Sequence, residues 1–199
     1  MPPFLSLQQE YSTCQRCPSL CKSRTQVVFG SGNQQAEVIF IGEAPGAEED
    51  AQGIPFCGAS GKVLQELLAS INLTRDDVFI TNTILCRPEN NRNPAKDEVE
   101  NCRERLDILI EIMKPKVIVT IGNFATERIL GKKGITQLRG KIFPLTLHNQ
   151  KVKIIPVVHP ANLLYNGRNP EIFQQMKDDF QVIKSVIEKK KQQKNLAEF

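Results

Sequence analysis

An α/β fold, with mostly parallel strands and helices on both faces, is predicted by three observations. Four short, nearly continuous apolar runs each end at small or polar residues, as strands buried on both faces do. Apolar residues at helical spacing fill the intervals between them, the alternation that specifies parallel strands with helices on both sides. The chain is 199 residues long, enough for one α/β domain with a sizeable core and too short for two comfortable ones. One domain over residues 1–199, with an N-terminal cysteine-bearing arm and a polar C-terminal tail, is therefore expected.

The arm, MPPFLSLQQEYSTC, lacks the charged-then-apolar order of a signal peptide, and it leads into CQRCPSLC. The first strand is AEVIFIG, 36–42, ending at glycine. A helix follows in which Val63, Leu64, Leu67, Leu68 and Ile71 share one face. VFITN, 78–82, is the second strand; Val99, Cys102, Leu106, Leu109, Ile110 and Met113 mark the next helix, and KVIVTIG, 116–122, is the third strand. A short helix is expected over 123–130, then a turn and hairpin in KKGITQLRGKIF, then the fourth strand, VKIIPVV, 152–158. Phe173, Met176, Phe180, Ile183 and Ile187 form the sheet-facing stripe of a last helix, and Lys189, Lys190 and Lys191 continue it into the tail.

There are 26 Lys and Arg against 22 Asp and Glu, a formal net charge of +4. That balance is compatible with a polyanionic partner and equally with an ordinary solvated surface. No long apolar run or lipidation motif is present, so a cytoplasmic enzyme or binding protein without membrane contact is expected.

Loops leaving the carboxyl ends of parallel strands face one crevice. Glu43 follows the first strand, Asn82 ends the second and His159 follows the fourth. A carboxylate, an amide and an imidazole are thus expected around one pocket.

Six cysteines in such a chain are more consistent with reduced, buried or metal-bound thiols than with a disulfide framework. Cys14 and Cys17 have a spacing that suits one metal or cluster. Cys86 follows the second strand, Cys102 lies in the next helix, and the loop through Asn90, Asn91, Arg92, Asn93 and Pro94 turns the chain back between them. Four soft thiolates favour zinc or an iron-sulfur cluster, and spacing does not choose between the two. Either serves to fasten the arm and loop to the sheet. Cys21 lies close enough to compete as a ligand, and Cys57, between Phe56 and Gly58, reads as a small pocket-wall residue.

Three segments, GEAPGAEEDAQGIPFCGASGKVL, TNTILCRPENNRNP and VVHPANLL, resemble in this order the motifs of the family 4 uracil-DNA glycosylases, the iron-sulfur branch of that superfamily. The resemblance covers nearly the whole chain, and it implies a three-layer αβα sandwich around a four-stranded parallel sheet. It implies hydrolysis of the N-glycosidic bond between uracil and deoxyribose in single- and double-stranded DNA, leaving an abasic site in base excision repair. It also implies a structural [4Fe-4S] cluster on Cys14, Cys17, Cys86 and Cys102. A monomer is expected, with contact to replication or repair proteins open.

A base inside a duplex must be flipped into such a pocket at a stacking cost of a few kcal/mol. The resemblance makes Phe56 the stacking surface and Glu49, flanked by Glu48 and Asp50, the group that crowds uracil C5 against thymine's methyl. Asn82 is suited to accept from N3–H and donate to O4, a pattern that cytosine does not match. His159 is suited to donate to O2 as negative charge leaves with the base, and it can do so as a neutral ring whose other nitrogen is held by backbone. Glu43 is suited to position water at C1′ and to stabilise the sugar cation. Gly42, Ala44 and Gly46 allow close approach of backbone to uracil O2 or a phosphate. No lysine stands in a Schiff-base position, so lyase chemistry is not expected.

On the DNA side, Gly58, Ser60, Gly61 and Lys62 read as a phosphate-contacting helix start, and Leu163 or Leu164 as the wedge that fills the gap left by the base or, equally, as a core anchor. The family usually has a basic residue soon after this leucine pair. Here the chain runs YNGRNPE, and Arg168 is the displaced substitute. Three other readings remain: a glycosylase of the same superfamily for hypoxanthine or another damaged base, a noncatalytic nucleic-acid binder, and a zinc-stabilised hydrolase of small nucleotides.

Overall fold

The computed structural model describes residues 3–197, with side chains described through residue 188. Its sheet has six strands in the order β1-β3-β2-β4-β6-β5: β1 (Ser31–Gly32), β2 (Val38–Gly42), β3 (Phe79–Asn82), β4 (Val117–Ile121), β5 (Phe143–Leu147) and β6 (Gln150–Val157). The four expected strands form the parallel interior β3-β2-β4-β6. The expectation of a purely four-stranded parallel sheet is corrected by two antiparallel edges, β1 on β3 and β5 on β6. The edges have a physical signature unlike the interior. β2, β3 and β4 are buried at every position, whereas β5 alternates half-buried and exposed residues.

The hairpin expected in KKGITQLRGKIF lies further along, at β5-β6. Its two-residue tip, His148 and Asn149, has φ of 47° and 62°, the left-handed pair that matches the twist of a tight hairpin. The predicted turn itself contains a short helix, Ile135–Leu138.

Successive β2 residues point to opposite faces and so build two cores. Ile39 and Ile41 pack under α1 (Pro3–Ser12) and α6 (Arg103–Met113). Val38 and Phe40 pack under α4 (Ala59–Ala69) and α10 (Pro170–Ala197), where Phe40 stacks on Phe180 with ring centroids 5.9 Å apart. Helices therefore cover both faces, as the periodicity predicts. The long helix expected between β3 and β4 is two, α5 (Lys96–Asn101) and α6, broken at Cys102 with φ −95° and ψ −3°. The backbone of α10 carries on through Lys189, Lys190 and Lys191, whose side chains lie outside the described residues.

Candidate active site and cysteine centre

The loops after β2, β3, β4 and β6 enclose a cavity of about 670 Å³. Its wall includes Glu43, Ala44, Gly46, Glu49, Phe56, Ser60, Asn82 and His159. The parallel register brings the ends together: Gly42 and Asn82 are direct partners across β2 and β3. Thr83 N–H donates to the Gly42 carbonyl at 2.9 Å, Ile84 N–H to the Glu43 carbonyl at 3.2 Å, and the Thr83 hydroxyl also donates to the Glu43 carbonyl. Glu43 and Asn82 are therefore fixed to each other through main chain.

Asn82 is 1% exposed, and its Oδ1 has no hydrogen-bond partner. A buried acceptor left unpaired costs about 1–3 kcal/mol, and one that lines a cavity is placed to be satisfied by a ligand's N–H. Gly42 makes room for it, because a Cβ there would lie 2.4 Å from Asn82 Oδ1 and 2.8 Å from the Phe56 ring.

His159 is a half-buried residue of the same cavity wall. Its Nδ1 accepts the Ala161 N–H at 3.1 Å, which leaves the proton on Nε2. Burial holds its pKa at about 4, with Glu49 pulling weakly the other way. At neutral pH it is thus a neutral Nε2–H donor. Its ring lies 5.7 Å from that of Phe56, tilted by 30°.

Phe56 is 6% exposed and holds an unusual backbone φ of 52°. Arg75 secures that geometry by donating to the carbonyls of Phe56, at 2.9 Å, and Pro55, at 2.6 Å. Helix α4 closes in from the other side, where a Cβ on Gly61 would sit 1.7 Å from the Phe56 oxygen. Glycine at 61 is a packing requirement of this Phe56 backbone geometry.

Glu43 projects into the cavity with a carboxylate that no side chain or backbone group of the described residues hydrogen-bonds. Burial raises its pKa. Glu49 is immobilised instead, its two oxygens accepting Gly46 N–H at 3.1 Å and Gly58 N–H at 3.3 Å. Its neighbours turn away: Asp50 binds the Thr25 amide, and Glu48 packs beside Gly58.

The DNA-side residues divide. Ser60 lines the cavity, while Lys62 is exposed outside its lining. Leu163 is fully buried in the core beneath α9 (Ala161–Tyr165), which removes it as a wedge, and Leu164 packs half-buried on the same core. Arg168 is paired with Glu66 at 2.6 Å and does not line the cavity. Tyr165, which the sequence reading passes over, lines the cavity rim at 88% exposure. An aromatic immediately after the Leu163-Leu164 pair is its sequence signal. Asn91, Arg92, Asn123 and Phe124 also line the cavity without having been singled out as site residues.

The four expected ligand cysteines gather at the arm, the loop after β3 and the start of α6. Cys17, Cys86 and Cys102 are buried and Cys14 packs against the same core, none of them in a disulfide. Each is near enough to influence another: Cys14 and Cys102 both raise the pKa of Cys17 and of Cys86. Burial dominates at Cys86 and takes it to about 11. Arg24 donates to Cys86 Sγ at 2.9 Å and Asn101 to Cys17 Sγ at 3.4 Å, donors suited to thiolates. Among the described residues no three Cys, His, Asp or Glu converge on a single ion. Cys21 donates to the Cys14 carbonyl at 3.6 Å.

The family model described as the uracil DNA glycosylase superfamily matches residues 29–181 of this chain. A type-4 uracil-DNA glycosylase of Archaeoglobus fulgidus is 43% identical over 187 residues, 92% of each chain. Another from Thermotoga maritima is 41% identical over 185 residues, 92% of this chain and 94% of the relative. A type-5 uracil-DNA glycosylase of Pyrobaculum aerophilum is 29% identical over 183 residues, 77% of this chain and 80% of the relative.

Proposed function

Because this chain belongs to the uracil-DNA glycosylase superfamily and within it to the type-4 enzymes, hydrolysing the bond between uracil and deoxyribose in DNA, we propose how its own residues do so. The observation that carries the reading is the unpaired, buried Oδ1 of Asn82 facing a cavity whose wall also offers a neutral imidazole N–H.

Uracil enters flipped and lies against Phe56. Asn82 Oδ1 accepts N3–H and its Nδ2 donates to O4. Cytosine presents an unprotonated N3 and an amino group at those positions, so it leaves the amide mismatched. Glu49, locked by two backbone amides, occupies the space beside C5 that a thymine methyl would need. As the C1′–N1 bond lengthens, the Nε2–H of His159 donates to O2 and stabilises the departing anion without a change of charge on the ring. Glu43 orients the attacking water and offsets positive charge on the sugar, its carboxylate free of competing partners. The Gly42–Ala44 backbone gives the base room to approach.

The rim residue Tyr165 takes the place first expected for a leucine wedge, with Leu164 behind it, and fills the space vacated in the duplex. Ser60, Lys62 and Arg168 contact phosphates. The same reading has a cytoplasmic monomer acting on single strands and duplexes. Among the described residues no helix is long and apolar enough to cross a membrane.

Cys14, Cys17, Cys86 and Cys102 hold the [4Fe-4S] cluster in this reading. It is supported by four neighbouring soft thiols with N–H donors already aimed at two of them, and by two buried donors near them without partners, Tyr11 OH and Arg105 Nε. When bound, the cluster supplies cross-linking of the arm to the sheet and no chemical step.

Single-stranded oligonucleotides containing uracil, thymine, cytosine or hypoxanthine test the reading with anaerobically purified protein. Selective release of free uracil is expected. Release of hypoxanthine at a comparable rate would move the assignment to the broader specificity.

A further inference from the structure

Among the described residues Arg105 is the largest side chain wholly removed from solvent, with 0% exposure, and it bonds the strand end that carries Asn82 while lying within electrostatic reach of the cysteine centre. It sits one helical turn past Cys102 on α6. Its guanidinium donates to Asn82 O at 2.7 Å, Thr83 O at 3.1 Å and Thr81 Oγ1 at 3.2 Å. Among the described residues it forms no ion pair with a carboxylate, and its Nε has no partner. A buried guanidinium needs a counter-charge. The groups within electrostatic reach that would stabilise it are Cys102, Tyr11 and Cys86, with Arg128 opposing. Two of those three are proposed cluster ligands, and a four-iron cluster held by four thiolates is a net anion.

We propose that Arg105 is a positioning residue that joins the two centres: its charge answers the ligated thiolates, and its fork fixes the carbonyls of Asn82 and Thr83. Thr83 in turn donates from its hydroxyl to the Glu43 carbonyl, so one side chain sets both the base-reading amide and the water-orienting carboxylate. A cluster held by these cysteines would thereby bear on the reaction only through the geometry that Arg105 sets. The inference rests on the four-cysteine assignment made above.

Three variants separate its two halves: Arg105→Lys keeps the charge and loses the fork, Arg105→Met loses both, and Thr81→Val removes one acceptor and leaves the charge. Iron content, visible absorbance, the cluster's reduction potential and uracil-release kinetics are measured on each. In Arg105→Met the potential moves negative of wild type, because a positive charge beside the cluster is gone; in Arg105→Lys and Thr81→Val it stays near wild type. Both Arg105 variants lose kcat by about 10- to 100-fold with KM for DNA little changed, the scale for loss of a group that orients a ligand. Thr81→Val loses less, in the same direction. An Arg105→Met protein that loads no iron while Arg105→Lys loads it also supports the counter-charge, and Thr81→Val reads the clamp if neither folds. An unchanged potential in Arg105→Met refutes the counter-charge, and wild-type kcat in Arg105→Lys and Thr81→Val refutes the clamp. Wild-type protein without iron or without uracil release would instead overturn the underlying assignment.

Discussion

Gly42 and Asn82 face each other across the parallel pair β2-β3, so close that a Cβ on Gly42 would lie 2.4 Å from the unpaired Asn82 Oδ1. The pocket therefore depends on an atom that is absent. Gly42→Ala must displace the amide, the Phe56 ring or both, and misplacement by about 1 Å costs on the order of 10²-fold in rate. Uracil release should fall by that factor while the fold persists; kinetics beside a circular dichroism melt would show it, and near-wild-type turnover would contradict this geometry.

In the proposed mechanism Asn82 serves recognition at the expense of stability. Asn82→Leu removes an unsatisfied buried acceptor, so the folded state should be unchanged or up to about 1 kcal/mol more stable. Uracil release should drop by about 10²-fold or more. Denaturant melts with parallel assays decide it, and a large loss of stability would mean that the amide is structural.

His159 should stay neutral through the working range. Its pKa of about 4 lies below the ordinary 6.5, so between those values the unfolded chain binds more protons than the folded one. Stability from this residue is complete above about pH 6.5 and is lost as pH falls toward 4, by roughly 3 kcal/mol in all. Nitrogen NMR should report a neutral ring protonated on Nε2 at pH 6, and an imidazolium signal there would contradict the assigned role.

In the proposed mechanism the acid limb of activity is set by Glu43. Burial raises its pKa, so its ionised form is lost at a higher pH than for an ordinary glutamate, and turnover should decline there as pH falls. In Glu43→Gln that limb should vanish with most of the rate. A pH–rate profile of both proteins checks the assignment.

The cysteine centre is expected to be structural. Cys102→Ser should lose iron and about 2 kcal/mol or more of stability, a fall in Tm of roughly 4–8 °C. Iron analysis and a thermal melt under anaerobic conditions test this; full stability without iron would contradict it.

The parallel interior was legible because β2, β3 and β4 are buried on both faces, which leaves uninterrupted apolar runs. The edges were not. β1 is two residues long, and β5 carries Pro144 in a sequence only weakly alternating. The His148-Asn149 tip gave no glycine to mark the turn. At the site, residues that follow strand ends could be placed from the chain alone, so Glu43, Asn82 and His159 were found together. Phe56 needed the resemblance, since its left-handed backbone depends on Arg75 and Gly61 from other segments. Arg105 was missed although its spacing from Cys102 and Leu109 puts it on the apolar face of α6, because a charged residue in RERLD reads as solvated. Leu163 proved a core anchor and Tyr165, which had been passed over, stands at the rim, since the turn of α9 directs the leucine inward and the tyrosine outward.

The most direct test of the central claim compares wild type and Glu43→Gln under single-turnover conditions on one uracil-containing oligonucleotide, with binding affinity measured in parallel. The account predicts release of uracil by the wild type and a loss of about 10²-fold or more in the variant, with affinity for the DNA kept within a few-fold. Equal rates in the two proteins, or loss of binding in step with loss of rate, would contradict it.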